Sequence, residues 1–302
     1  MNFKLNHNHS LTFDELFAEY CEIMKHTMTP HTLRTKQSYY NTHFGHKYGR
    51  IIITDFKYKD AQLFVNELLD KGLQPKTVKN IVDIFKVLYK YAMMNEYCEK
   101  NPFEFVQLPQ FDNRIYFNFT DDEIKRFIYT ALNFPNVKFR GVFTLLLHGR
   151  RLNEVLSLTW DYIDFEKKQY FIPPKINKAK KLMAYQMTDI FEDILVRQKI
   201  INDVECPDSQ YVFPSSLTCE KIKDIRKQFR KLLKYANIDK KMRIHDIRHL
   251  VASYAINSLG LSVEDVSYTL GHTSIEITQR YINPRAEISK RVAEKILNSV
   301  RG

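Results

Sequence analysis

Apolar residues along the opening stretch recur at the three- and four-residue spacing of helices buried on one face. Thr12-Phe-Asp-Glu15 has the spacing of a capping box, and Leu16, Tyr20 and Ile23 follow at helical intervals. Pro30 and Pro75 each suit a first helical position, where the missing N–H would have had no partner. From Thr77 to Met94 the residues Val78, Ile81, Val82, Phe85, Leu88, Tyr89 and Ala92 form one apolar stripe, which reads as core. The periodicity then fails from Pro102 to Asn118, predicting an extended linker and a domain boundary.

A second capping box, Thr120-Asp-Asp-Glu123, opens a region with helices predicted over 121–132, 138–148 and 151–159. Three short runs follow, Tyr162–Phe165, Gln169–Pro173 and Leu182–Met187, separated by the turn 166–168 and a lysine-rich turn at 175–181. The remainder reads as helices over 220–236 and 245–258, one capped by Ser262, one capped at Thr273 with Glu276 in its first turn, and a last from Ala286 to Asn298. The predicted fold is mainly α with a small antiparallel β-sheet, in two domains.

The chain has 302 residues, with 46 Lys plus Arg against 35 Asp plus Glu, a formal net charge of +11 and a mean hydropathy of −0.39. With 44% hydrophobic and 27% charged residues, neither disorder nor a fibrous repeat is expected. No apolar run approaches the ~20 residues that span a bilayer, and the polar start Met1–His9 lacks a secretion signal, so a cytoplasmic protein is expected. Cys21, Cys98, Cys206 and Cys219 show no Cys-x-x-Cys pair and predict no disulfide scaffold, in keeping with a reducing compartment. The charge is uneven: residues 1–110 hold 14 basic and 12 acidic side chains, residues 111–302 hold 32 and 23. Lys221–Arg243 alone carries ten basic residues against Asp224 and Asp239, a field that suits a phosphate backbone but also fits a solvated helix face.

Four pieces of the basic part carry candidate chemistry. In His148-Gly-Arg-Arg151-Leu-Asn-Glu154, Arg151 and Glu154 share a helix face, an arrangement that a surface ion pair would also produce. His245-Asp-Ile-Arg248-His249 places two histidines at zinc-protease spacing. Asp246, however, is shorter than the glutamate that motif needs, and Arg248 would repel a dication while binding a phosphate bidentately. Gly271-His272 precedes Tyr281 by nine residues, and Lys178 lies in the basic hairpin, where solvated charge is the bland alternative.

In this order the pieces resemble the tyrosine recombinase (phage integrase) family: Arg-x-x-Glu, a hairpin lysine, His-x-x-Arg, Gly-His, then tyrosine. The resemblance covers nearly the whole chain. It implies a helical core-binding, SAM-like domain over 10–104, a linker over 105–117 and a catalytic domain over 118–302 with a C-terminal docking helix. One departure stands before Arg151, where Arg150 occupies a place the family usually gives to a hydrophobic residue. Register selects Arg151, three residues before Glu154, as the family arginine. Counting back from Met187 makes Lys178 the hairpin lysine, with Lys175 the alternative.

What the resemblance implies is a site-specific recombinase that cleaves and rejoins DNA through a 3′-phosphotyrosine. Tyr281 would be the nucleophile, Arg151 and Arg248 would stabilise charge on the phosphate, and Lys178 would protonate the leaving oxygen. His245 and His272 would share proton acceptance and phosphate contact, with Glu154 orienting the arginine helix. The chemistry conserves the energy of the broken ester, so no cofactor and no metal are implied, in agreement with the absence of a P-loop motif. Lys175, Lys180, Lys181, Lys227, Arg230, Lys231 and Arg243 are the candidate contacts to double-stranded DNA. The implied assembly is a homo-tetramer on two DNA sites, with accessory DNA-bending or regulatory proteins as further partners and no membrane. The setting would be nucleoid-associated, in a bacterium or phage. The few residues before Leu11 favour a simple Xer-like enzyme, with a mobile-element integrase close behind. A type IB topoisomerase-like enzyme and a catalytically silent DNA-binding protein are the other two readings.

Overall fold

The computed structural model describes residues 11–111, 119–177, 179–272, 274–279, 281, 294, 297 and 298. The chain divides into two compact units, Met1–Asn113 and Arg114–Gly302.

The first unit is helical. α1 (Phe13–Met24) starts at the expected capping box: the Thr12 amide donates to Glu15 at 2.9 Å and the Glu15 amide to the Thr12 hydroxyl at 3.4 Å. Phe13, Leu16, Phe17, Tyr20 and Cys21 form its buried face, while Ile23, in a last turn that runs past that face, is exposed. α2 (Pro30–Tyr40) begins on its proline and runs through a π-helical turn, Asn41–Gly45, into the short α3 (His46–Tyr48). α4 (Tyr58–Asp70) and α5 (Pro75–Met94) complete the unit, and every residue of the predicted α5 stripe is buried. The core is aromatic. Phe44 sits 4.7 Å from Phe13, 5.1 Å from Phe64 and 4.1 Å from Phe85, and Phe103 stacks on Phe85 at 5.0 Å. Phe103 and Val106 are buried in this core, so the chain just past Pro102 is packed rather than extended free of it.

In the second unit α6 (Asp121–Leu132) begins at the Thr120–Glu123 capping box. α7 (Val137–Leu147) is buried on nearly all sides and packs against α6, α8 (Leu152–Leu156), α9 (Asp189–Glu205) and α11 (Asp246–Asn257). α8 is shorter than predicted, because Thr159 leaves the helix to bridge Tyr211 and Trp160–Tyr162 form a 3-10 turn. The antiparallel sheet runs β1 (Ile163–Asp164), β2 (Gln169–Ile172), β3 (Met183–Gln186), with Tyr170 opposite Tyr185 and Ile172 opposite Met183. Tyr170 and Ile172 alternate inward on β2, as a half-buried strand requires.

α10 (Arg226–Tyr235) starts later than the expected residue 220. Pro214 pairs with Lys221 there, and the loop that carries this bridge folds back to join Cys206, at the end of α9, to Cys219. The spacing predicted no disulfide scaffold, and the structure holds this one bridge among the described residues: its thirteen-residue separation hides a turn in which the Ser215 amide donates to the Glu220 carbonyl at 2.7 Å and the Cys219 amide to the Ser215 carbonyl at 2.8 Å. Cys21 and Cys98 are free. α12 (Val263–Leu270) is capped by Ser262 as predicted, and α13 (Glu276–Gln279) covers four residues. Lys178, Thr273 and, apart from Glu294, Leu297 and Asn298, the tail expected over Ala286–Asn298 lie outside the described residues. No described helix is long and apolar enough to cross a membrane.

Candidate active site

Two helix ends of the same construction face each other. After α7, Gly149 takes φ +80°, its amide donates to Leu146 and the Arg150 amide donates to Leu145. After α12, Gly271 takes φ +64°, its amide donates to Tyr268 and the His272 amide donates to Ser267. Both are Schellman motifs, in which a left-handed glycine lets two otherwise orphaned carbonyls be satisfied. They pack so closely that a Cβ on Gly149 would lie 2.4 Å from Leu270, and one on Gly271 would lie 2.5 Å from Met183 of β3. Arg151 leaves the first motif directly, and His272 is the last residue of the second.

Arg151 and Glu154 are not a surface pair. Glu154 is only 3% exposed; one of its oxygens accepts from the Arg151 amide at 2.8 Å and the other from the Arg151 guanidinium at 2.8 Å. A carboxylate fixed at both oxygens sets the direction of the guanidinium. From α11, Arg248 (3% exposed) reaches between the two motifs. It donates through Nη1 to the Gly149 carbonyl and through Nη2 to the Leu270 carbonyl at 2.7 Å. Burial, then the charges of Arg151 and Arg150, push Arg248 down to about 10, partly offset by Glu154 and Tyr281. The site therefore holds three guanidinium groups against one carboxylate, an arrangement that is unfavourable until an anion enters.

Tyr281 stands between two imidazoles: its ring centroid is 5.3 Å from His249 and 6.2 Å from His272, and His249 is 5.0 Å from His245. Its backbone is tied to the preceding helices, the amide donating to Thr278 at 3.0 Å and the carbonyl accepting from Asn257 Nδ2 at 2.7 Å. The tyrosine packs with Ala252, Val266 and Leu270 of its own unit. His272 Nδ1 lies 2.7 Å from the hydroxyl of Thr278, which is fully buried. At the start of α11, crowding by the protein and the Arg248 charge lower His245 below its ordinary value even though solvent reaches it. Burial and then His245 push His249 down to about 4. His249 is thus neutral at pH 7.

Lys175, Lys180 and Lys181 are exposed on the β2–β3 hairpin. The buried Asn177 organises this turn, donating through Nδ2 to the carbonyls of Ile172, Pro173 and Lys181 at 3.2, 2.8 and 2.7 Å. On α10, Phe229 and Leu232 face inward while Lys227, Arg230, Lys231 and Lys234 share the exposed face with no carboxylate in ion-pair reach among the described residues. Arg243 is engaged differently: its guanidinium and its amide hold Asp246, the first residue of α11, at 2.8–3.2 Å. Sequence reasoning missed His249 as a neighbour of Tyr281, and missed Thr278, Asn257 and Asn177. Only Asn177, a turn-forming residue between two strand runs, left a readable signal. Among the described residues no three His, Cys, Asp or Glu side chains group as metal ligands would.

The scaffold brings Arg151, His245, Arg248, His272 and Tyr281 into one unit, and the family match and the relatives named below make the chain a tyrosine-type site-specific recombinase. Residues 118–287 match the phage integrase family and residues 12–69 match the phage integrase N-terminal SAM-like domain; the chain belongs to the phage integrase family. The tyrosine recombinase XerC of Bacillus subtilis (strain 168) is 25% identical over 244 residues, 76% of this chain and 78% of the relative. The fold is shared with the Tn1549 transposon integrase in complex with a circular intermediate DNA (TM-score 0.75, 20% identity, 95% of this chain and 99% of that one). It is shared too with a lambda integrase tetramer bound to a Holliday junction (TM-score 0.70, 17% identity, 92% and 79%). The family match favours recombination over the topoisomerase-like and catalytically silent readings.

Proposed function

We propose that this recombinase cleaves duplex DNA by attack of the Tyr281 hydroxyl on a backbone phosphodiester. The P–Oη bond forms as the bond to the 5′ oxygen breaks, leaving a 3′-phosphotyrosine and a 5′ hydroxyl that attacks the partner strand in the reverse step. The observation that carries this reading is the convergence of Tyr281, the imidazoles of His249 and His272, and a buried surplus of guanidinium charge. A phenol with pKa near 10 is a weak nucleophile at neutral pH, and positive charge nearby favours its ionised form.

Arg151, held by Glu154, and Arg248 are the groups that bind the non-bridging oxygens, whose charge grows in the transition state. His245, lowered below its ordinary value by desolvation and the Arg248 charge, accepts the phenolic proton, directly or through a phosphate oxygen, while His272, braced by Thr278, donates to a non-bridging oxygen. Lys178 gives a proton to the departing 5′ oxygen, with Lys175 as the alternative donor; a general acid contributes about 10²–10⁴-fold. No metal and no cofactor enter these steps.

The core-binding domain would span 10–104 and the catalytic domain 118–302, joined by a linker over 105–117. Lys227, Arg230 and Lys231 on the exposed face of α10, Arg243, and the hairpin residues Lys180 and Lys181 supply phosphate contacts that position the duplex. By analogy with the lambda integrase tetramer on a Holliday junction, four copies act on two DNA sites. The reaction runs in the cytoplasm at the nucleoid, with accessory DNA-bending or regulatory proteins where the site demands them. The test is incubation with a library of nicked suicide duplexes and denaturing electrophoresis. The parent chain should yield a covalent adduct that Tyr281→Phe lacks, and sequencing the trapped DNA separates chromosome resolution from mobile-element integration. Salt-sensitive binding with no adduct would overturn the reading.

A further inference from the structure

The third guanidinium, Arg150, stands where the resemblance leads one to expect a hydrophobic residue. Its place, just after the left-handed glycine of a Schellman motif, ordinarily packs a hydrophobic residue against the helix it ends. Here it is 1% exposed. A buried cation is costly unless its donors are all used, so its partners define its work. The guanidinium lies 3.5 Å from the Tyr185 ring centroid, donates to the His148 carbonyl at 2.9 Å and donates to the Thr269 carbonyl. No carboxylate pairs with it among the described residues; the carbonyl ends of α7 and α12, which carry partial negative charge, stand in for one.

Arg248 makes the same bridge one residue further along, from Gly149 to Leu270. Two parallel guanidinium bridges thus join the turn that presents Arg151 to the helix end that presents His272. Arg248 has a second duty, since its donors must also meet the scissile phosphate. We propose that Arg150 is a positioning residue for strand cleavage. It keeps the two helix ends in register while Arg248 turns its donors to the phosphate. This rests on the function proposed above.

Two variants and two readouts test it. Arg150→Leu restores the hydrophobic character usual at such a position and should fold, bind duplex with parental affinity, and cleave about 10²-fold more slowly in single turnover, the loss typical of catalytic groups misplaced by an ångström. Arg150→Lys keeps the charge but lacks the Nε that also donates to the His148 carbonyl at 3.3 Å and the planar face that lies over Tyr185, and should fall between parent and leucine variant. The second readout needs no DNA: in both variants the amides of Gly271 and His272 should exchange with solvent faster, while those inside α7 stay protected. Parental cleavage by Arg150→Leu, or by Arg150→Lys should the leucine variant not fold, would overturn the proposal. So would unchanged protection of Gly271 and His272, whether or not the parent cleaves DNA. Absence of a parental adduct alone would instead strike the function proposed for Tyr281.

Discussion

Around Phe44 the first unit packs rings against rings, whereas around Gly149 the second packs guanidinium groups against carbonyls. Among the described residues every buried charged side chain, Lys138, Arg150, Glu154, Asp246 and Arg248, belongs to the second unit. The first unit closes on Phe13, Phe56, Phe64, Phe85 and Phe103, whose burial contributes stability directly. Buried charge does the opposite: it is tolerated where geometry over-determines it, and it persists where function needs it. The contrast says which unit is built to hold and which is built to react.

Breaking the first side of the contrast should give the largest effect on stability. Phe44→Ala removes a fully buried ring at the centre of the aromatic core and should cost about 3–5 kcal/mol in denaturant unfolding. A loss below about 1 kcal/mol would mean the rings do not carry that unit. On the reactive side, Arg248→Ala should lower single-turnover cleavage about 10²–10³-fold, as loss of a transition-state donor does. Retained cleavage would remove Arg248 from the site.

A smaller effect sharpens the contrast through pH. His249 and His148 are both pushed down to about 4, His249 by burial and His245, His148 by burial and Arg150. Their folded values lie below the unfolded value near 6.5, so the unfolded chain takes up protons first. Their contribution is complete above about pH 6.5 and is lost as pH falls toward 4. Melting of the second unit should drop across that window, and His249→Gln should flatten the drop; a melting temperature indifferent to pH would contradict the buried neutral imidazoles. The smallest effect belongs to the surface. Lys227→Ala or Lys231→Ala should weaken duplex binding uniformly across sequences and reduce the salt slope by about 1 each.

Local rules made much of this legible. Both capping boxes, both N-terminal prolines and the α5 stripe follow from short-range chemistry, and the structure has them where the spacing predicted. The three strands were readable from turns and alternation. What failed was decided by distant partners: the end of α8 by the Thr159–Tyr211 bridge, and the start of α10 by the loop that joins Cys206 to Cys219. In the site, Arg151, His245, Arg248, His272 and Tyr281 were named by their order along the chain. The depth of Glu154 and Arg150 was not, because a charged residue beside a glycine turn reads as surface. Nor was the pairing of Tyr281 with His249, which depends on how the chain beyond α13 returns to α11.

The central claim is that Tyr281, set between His249 and His272 beside the buried arginines, becomes the covalent link to DNA. Mass spectrometry of the trapped adduct after proteolysis tests it most directly. The account predicts that nucleotide mass is carried by the peptide containing Tyr281, on the tyrosine itself. Nucleotide mass on any other residue, with the Tyr281 peptide unmodified, would contradict it.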